Sequence, residues 1–297
     1  HIPHTIDTRD AKPIRERPYR TSPKEDKVIN EHVNDMLASG VVSPGNGPWA
    51  ARVVLARKKG GTLRFCVDYR GLNAVTRRDA YPLPRIEDTL DKLGKASYFS
   101  TLDLAAGYWQ IPVDKKDREK LGFVTKSGLF EFNVIPFGIT NGPPTFQRNM
   151  DVILSGLTNI CCLVYIDDII VYSASFESHL RDLQAVFNRI DKAQMYIKTP
   201  KCLFCRGELP YLGHIVSRKG IRVDPEKTKA IAEMPEPRNT SELRRFLGFA
   251  SYYRRFVKDF ADIAHPLNQL TVARVKWEWM DIHKKAFNTL VLSLIHI

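Results

Sequence analysis

The stretch Leu163-Val164-Tyr165-Ile166-Asp167-Asp168-Ile169-Ile170-Val171-Tyr172 constrains this chain more than any other. Two apolar runs, rich in β-branched and aromatic residues, flank two adjacent acids with no Gly or Pro between them. Runs of this kind read as buried strands, and a tight turn between them makes a hairpin with Asp167-Asp168 at its tip. Two carboxylates at the end of an apolar sheet repel, and each is driven toward its neutral form unless cations lie between them. A bound divalent ion resolves that conflict, and hard oxygen ligands select Mg²⁺ or Mn²⁺. The plainer reading of the same residues is a solvated turn, since Asp is a common turn former.

With 297 residues the chain can bury a large core and divide into two or three subdomains. Its 45 basic against 33 acidic residues give +12, which favours a polyanionic partner, nucleic acid first. No apolar stretch approaches the roughly 20 residues of a membrane-spanning helix. The chain opens on His1 without a signal-peptide pattern and reads as a piece of something longer. Five cysteines, three of them in apparent core segments (Cys66, Cys161, Cys162), read as reduced thiols. A zinc site at Cys202, Cys205 and His214 lacks an evident fourth ligand.

Taken in order, residues 1–22 are polar and Pro-punctuated, an extended arm. Ser22-Pro23 opens a helix that Gly40 closes. Arg52–Arg57 and Leu63–Asp68 read as strands around Lys58-Lys59-Gly60-Gly61. That tip is either a solvated turn or a clamp on phosphates. Tyr81-Pro82-Leu83-Pro84 breaks the chain, and Ile86, Leu90 and Leu93 suggest a short helix. Ser97–Leu102 reads as a strand ended by Asp103, a second unusual carboxylate. A hairpin surrounds Lys126-Ser127-Gly128, and a helix runs to about Leu154. Phe176–Gln194 reads as an amphipathic helix with Leu180, Leu183, Val186, Phe187 and Ile190 on one face. Asn239 with Glu242 resembles a capping box. The helix it opens, with its continuation, carries Arg244, Arg245, Arg254 and Arg255 among aromatic residues that read as core first and base-stacking platforms second.

The order of six motifs resembles the reverse transcriptase of gypsy-like LTR retrotransposons, part of a Pol polyprotein. They are Arg64-Phe65-Cys66-Val67-Asp68-Tyr69-Arg70-Gly71-Leu72-Asn73, Phe99-Ser100-Thr101-Leu102-Asp103-Leu104 with Gly107-Tyr108, Pro136-Phe137-Gly138-Ile139-Thr140-Asn141, Tyr165-Ile166-Asp167-Asp168, Tyr211-Leu212-Gly213-His214 and Phe246-Leu247-Gly248. The likeness runs from Asp10 to about Phe287. It implies an α+β fold, a right-hand polymerase with fingers, palm and thumb and an antiparallel palm sheet packed on helices. The boundaries it implies are an arm over 1–22, fingers over 23–80, palm over 81–216 with a second fingers insertion at about 112–138, thumb over 217–270, and over 271–297 the truncated start of a segment leading to RNase H.

The implied activity is RNA-directed DNA polymerisation: dNTPs are added to a primer 3′-hydroxyl on an RNA or DNA template. Two Mg²⁺ (or Mn²⁺) ions about 3.5–4 Å apart would clamp the attacking and leaving oxygens. By resemblance Asp103 and Asp167 bridge both ions, Asp168 contributes less directly, and the Leu104 carbonyl reaches one. Arg64 with Lys58 or Lys59 would grip the triphosphate. Tyr108 would be a steric gate against the ribose 2′-hydroxyl; its plainer reading is a core tyrosine. Phe137 stands where many retroviral relatives carry Gln and cannot make the amide's hydrogen bonds. Lys201 is a candidate general acid for the leaving pyrophosphate, with an ordinary surface lysine as the alternative. Leu212-Gly213 would grip the primer backbone, and Arg244, Arg245, Arg254 and Arg255 would track the template-primer backbone.

Arg52 departs from the Pro that relatives commonly carry, leaving strand entry open, and the tail from Leu290 matches poorly. No RNase H acid cluster is present, so no RNase H activity is expected of this piece. The expected partners are template-primer, dNTPs and the remainder of the polyprotein, with no membrane, in the cytoplasm within retroelement particles. A catalytically inactive remnant that binds nucleic acid is the alternative, and an RNA-templated RNA polymerase a looser one.

Overall fold

In the computed structural model, residues 1–57, 61, 63–94 and 96–295 are described; Lys58 and Lys59, assigned above to triphosphate binding, lie outside them. The chain forms two compact units, His1–Arg206 and Gly207–Ile297.

The first unit opens with α1 (Pro23–Ala38). Ser22 and Glu25 exchange side-chain-to-backbone bonds in a capping box, and Pro23 takes the first helical position. At the far end Gly40 has φ +71°. The Gly40 N–H donates to Leu37 O and the Val41 N–H to Met36 O, a Schellman closure that glycine adopts without steric penalty. There follow β1 (Val42–Pro44), β2 (Ala51–Arg57), β3 (Leu63–Asp68), α2 (Arg70–Val75), α3 (Ile86–Asp91), β4 (Tyr98–Asp103), β5 (Gly122–Thr125), β6 (Gly128–Phe132), α4 (Gly142–Ile153), β7 (Cys162–Tyr165), β8 (Asp168–Ser173), α5 (Phe176–Lys192) and β9 (Leu203–Arg206). One sheet has the order β1-β6-β5-β2-β3 and the other β7-β8-β4-β9. The second sheet is antiparallel throughout. A continuous core includes Leu102 and Leu104 together with Phe146, Met150, Val164, Ile169, Val186 and Ile190.

Two local expectations change. The buried face of α5 is His179, Leu183, Val186 and Ile190, while Leu180 is 48% exposed. His179 turns inward because its ring nitrogens bond Ser100 Oγ at 2.7 Å and Ser173 Oγ at 3.0 Å. Arg52 sits inside β2 and pairs with Glu16 at 2.5 Å, so the strand enters without a proline.

The polar arm is extended as expected but firmly docked. The His4 N–H donates to Pro112 O, the Asp114 N–H donates to His4 O, and the Ile6 N–H donates to Asp117. Asn149 on α4 holds both the N–H and the C=O of Ile2. The His4 ring is 1% exposed and bonded to Thr145 Oγ1 at 2.8 Å. Burial lowers its pKa to about 4, against a partial opposing pull from Asp117 and Asp79. A histidine that stays neutral in the fold but protonates near 6.5 when unfolded supplies stability above pH 6.5 and loses it as pH falls toward 4. The gap corresponds to about 3 kcal/mol. The urea midpoint should therefore drop between pH 7 and pH 5, and His4→Gln should flatten that part of the profile.

The second unit begins with β10 (Glu208–Tyr211), β11 (His214–Ser217) and β12 (Gly220–Val223), an antiparallel sheet in chain order. Then come α6 (Pro225–Ala232), α7 (Thr240–Tyr252), α8 (Phe260–Gln269) and α9 (Asp281–Ile295). They share a core of Ile231, Leu243, Phe246, Leu267, Phe287 and Leu290. The Asn239 side chain accepts the Glu242 N–H at 2.9 Å, but Glu242 returns its bond to the Arg238 N–H, not to Asn239, so the expected capping box is only half made. Among the described residues no helix is long and apolar enough to cross a membrane.

Candidate active site

Strand register brings the acids together. β4 pairs antiparallel with β8, Tyr98 opposite Ser173 through Asp103 opposite Asp168. β7 pairs with β8 and closes on Tyr165 opposite Asp168. Cross-strand partners have Cβ atoms about 4.5–5.5 Å apart, so Asp103 and Asp168 are neighbours although 65 positions separate them in sequence. The two-residue turn is Ile166-Asp167, and Asp168 is already the first residue of β8. The expected Asp-Asp tip is thus corrected by one residue: one acid is carried by the turn and the other by the sheet.

Electrostatics agree with this placement. The Asp168 carboxyl is pushed above its ordinary pKa, first by desolvation, then by the charges of Asp167 and Asp103, with Lys201 opposing. Lys201 Nζ lies 3.2 Å from Asp103 Oδ2. Leu104 is buried beside Ile197 in an isolated bridge whose two bonds use the Asp103 carbonyl and the Ala105 N–H, so the Leu104 carbonyl is not consumed by it. The donor set, carboxylate and carbonyl oxygens, fits a hard divalent cation. Among the described residues no three His, Cys, Asp or Glu side chains already stand as a ready metal cluster. The Cys202 thiol accepts the Asp103 N–H at 3.4 Å and contacts Lys198 O at 3.5 Å, and the cysteines are free thiols.

Next to the acids stands Tyr108, on a short 3₁₀ turn over Gly107–Gln110 that follows Ala106 at φ +48°. Gly107 permits the approach: a Cβ there would lie 3.2 Å from Phe146 Cζ and 3.5 Å from Asp167 Cβ. Burial, and then the nearby Asp167 and Tyr165, raise the Tyr108 pKa, so its hydroxyl stays protonated. Its ring meets Phe137 edge-on at 5.5 Å, and the Arg64 guanidinium lies 5.3 Å from the Phe137 ring centre. Three residues expected at the nucleotide therefore form one row, Arg64–Phe137–Tyr108. Asn73 fixes the turn beneath it, donating to Gly138 O and accepting the Thr140 N–H, each at 2.8 Å.

In the second unit, Leu212 and Gly213 form the turn between β10 and β11, with φ +45° and +71°. The Leu212 carbonyl accepts from Tyr252 Oη at 2.6 Å and lies 2.8 Å from His214 Nδ1. Arg244 donates to Thr271 O at 2.7 Å, Arg245 lines a cavity with Arg238 and Glu242, and Arg255 lies 5.5 Å from the Phe256 ring; Arg254 directly precedes it in the same short 3₁₀ turn.

Two features escaped sequence reasoning. Ile166 has φ +58°, a left-handed conformation that is a genuine outlier for a β-branched residue and costs about 1–2 kcal/mol. Its N–H donates to Oε1 of the fully buried Gln147 at 2.7 Å. Gln147 is one of three buried polar side chains on α4, with Thr145 and Asn149, and the sequence does not say which of them reaches the hairpin.

An antiparallel sheet backed by helices, with acids from a strand end and a tight turn beside an aromatic ring, is the layout of a nucleotide-polymerising palm. The chain belongs to the reverse transcriptase (RNA-dependent DNA polymerase) family, whose profile matches residues 56–216. It is 40% identical over 280 residues to the retrovirus-related Pol polyprotein from transposon 297 of Drosophila melanogaster, covering 93% of this chain and 26% of that protein. It is also 40% identical to that from transposon gypsy of the same organism, over 90% of this chain and 26% of the relative. The chain thus spans about a quarter of the length of these gypsy-type relatives. Among solved structures, the foamy viral protease-reverse transcriptase dRH in complex with double-stranded DNA matches with a TM-score of 0.88 and 26% identity, over 99% of this chain and 52% of that one. The foamy viral protease-reverse transcriptase in complex with RNA/DNA hybrid matches with a TM-score of 0.85 and 25% identity, over 99% and 40%. The fold is α+β, as the resemblance implied, with the antiparallel palm sheet of a right-hand polymerase.

Proposed function

We propose that this chain is an RNA-directed DNA polymerase that adds dNTPs to a primer 3′-hydroxyl on an RNA or DNA template. The observation that carries the reading is the cross-strand pairing of Asp103 with Asp168, with Asp167 in the adjoining turn. Asp103, Asp167, Asp168 and the Leu104 carbonyl would hold two Mg²⁺, or Mn²⁺, ions. When bound, such ions activate the primer hydroxyl and neutralise the charge of the departing pyrophosphate.

The protein's own groups orient and select. Arg64, with Lys58 or Lys59, binds the triphosphate as a fork and a point charge. Phe137 offers its face to Arg64 and its edge to Tyr108, holding both in place. Lys201 neutralises Asp103 and carries a proton that it can give to the leaving pyrophosphate. Leu212-Gly213 grips the primer strand, where the absent Gly213 side chain permits close backbone approach. Arg244, Arg245, Arg254 and Arg255 neutralise template-primer phosphates. The fingers, palm and thumb boundaries given from sequence belong to this reading, as do the remainder of a Pol polyprotein as partner and a cytoplasmic retroelement particle as location.

Extension of a DNA primer on an RNA template with dNTPs and Mg²⁺ tests it. Extension that chelation abolishes is expected. A folded protein that binds template-primer in a salt-dependent way and never extends it would replace this reading with that of a nucleic-acid-binding remnant. The gate is tested separately. Tyr108→Ala should lower the ratio of kcat/KM for dNTP over rNTP on the order of a hundredfold, measured by single-nucleotide incorporation; an unchanged ratio would return Tyr108 to the core.

A further inference from the structure

The turn that carries Asp167 is held in a conformation its own residues disfavour. Ile166, with φ +58°, is β-branched and sits between the last residue of β7 and Asp167. Nothing in its own side chain stabilises a left-handed backbone, as Asn or Gly would. The restraint comes from α4. Gln147 Oε1 accepts the Ile166 N–H at 2.7 Å, and Nε2 reaches Val164 O at 3.3 Å and Asp151 Oδ1 at 3.0 Å. Only one orientation of the amide satisfies an N–H, a carbonyl and a carboxylate at once, so the oxygen and nitrogen are assigned by their partners. The two backbone contacts straddle Tyr165, the residue that closes the hairpin opposite Asp168.

Gln147 is itself anchored. Asp151 Oδ2 accepts the Tyr81 hydroxyl at 2.5 Å, and Arg148 lies 4.5 Å from the Tyr81 ring centre while forking onto Asp79 at 2.8 and 3.0 Å. A polar strut thus runs Tyr81–Asp151–Gln147–Ile166. It joins the Pro-rich segment after Tyr81 to the turn that holds Asp167. Buried polar groups that are fully satisfied in this way rigidify what they touch.

We propose that Gln147 is the positioning residue of the carboxylate centre: it imposes the left-handed turn at Ile166, which fixes how Asp167 and Asp168 face Asp103. The inference rests on the reading of those three acids as the reacting centre. Gln147 acts through the backbone of the turn, not by touching substrate or metal. Supporting groups of this kind typically change metal affinity or rate about 10–100-fold when removed.

The test is Gln147→Met, which keeps length and removes both bonds to the hairpin. Three readouts are taken on the full chain: amide exchange of the 163–168 segment, Mn²⁺ affinity by titration, and primer extension. Faster exchange in that segment, a loss of Mn²⁺ affinity of about tenfold and a fall in kcat of about 10–100-fold, with template-primer affinity retained, are expected. A double-mutant cycle separates positioning from simple packing. Ile166→Gly removes the left-handed penalty, so Gln147→Met on that background should cost at most a few-fold. An equal loss on both backgrounds overturns the proposal, as does unchanged exchange and Mn²⁺ affinity in a folded Gln147→Met protein. Should Gln147→Met not fold, Asp151→Asn loosens the same amide from its anchor; a smaller change in the same three readouts supports the strut, and none overturns it. Asp167→Asn distinguishes the two levels. If it too leaves Mn²⁺ affinity and extension intact, the reading of the site fails and the inference with it. If it abolishes both while Gln147→Met changes neither, the inference alone fails.

Discussion

Asp103→Asn should reduce primer extension by at least about a thousandfold while leaving folding and template-primer binding near wild type. Asparagine keeps the shape of the side chain and the strand, so the β4–β8 pairing survives. It removes the negative charge opposite Asp168 and the partner of Lys201 at 3.2 Å. Two consequences can be measured apart. Extension falls because one anionic ligand is missing where charge develops on the reacting phosphate. The Asp168 pKa shifts down toward its ordinary value, because one of the charges raising it is gone. Carboxyl titration by NMR would follow the second without any substrate. Extension at wild-type rate by Asp103→Asn would remove Asp103 from the centre.

The second large effect concerns stability. Gly122, the first residue of β5, has an ordinary backbone angle, φ −58°, so conformational freedom is not why glycine is needed. Space is. A Cβ there would lie 2.3 Å from the Trp49 carbonyl oxygen and 3.1 Å from the Glu119 carbonyl oxygen. Both are backbone atoms that no rotamer change can move. Gly122 adjoins the parallel pairing of Ala51 with Phe123, which joins β5 to β2. Gly122→Ala must push these strands apart, and a loss of about 3 kcal/mol or more is expected, read as a drop in the urea midpoint or as failure to accumulate soluble protein. Ala at Gly61 would not test the same thing, since its φ of +80° makes it a conformational glycine with nothing within 4 Å.

Much of the fold was legible because it rests on local signals. Alternation marked β3, apolar runs marked β7 and β8, and Ser22-Pro23 with Gly40 bounded α1 within a residue. Periodicity was less able to choose between adjacent residues. It placed Leu180 on the buried face of α5, where the structure places His179, because the deciding factor is a pair of serines from β4 and β8 that no helical wheel contains. The arm over 1–22 read as extended, but its docking was not legible, because its contacts are largely backbone bonds, which composition does not record.

The candidate site divides in the same way. Its acids stood out as charges at the ends of apolar runs, and their likeness to a polymerase motif named them. Which acid occupies the turn could not be read, because a hairpin's loop is set by the pairing of Tyr165 with Asp168. Gln147 gave no signal, since its importance lies in what the distant Ile166 backbone needs. The row from Arg64 through Phe137 to Tyr108 joins residues from three separate motifs; only tertiary structure reveals that Phe137 packs between them.

The pairing of β4 with β8 also works as a ruler. Side chains on a strand alternate between faces, so a slip of a single residue would carry Asp103, with the rest of the strand's side chains, to the opposite side of the sheet. The length of the surface loops within the 58 residues between β4 and β7 does not enter that measurement. Insertions in those loops should be tolerated by the centre, whereas one residue added inside Tyr98–Asp103 should silence it.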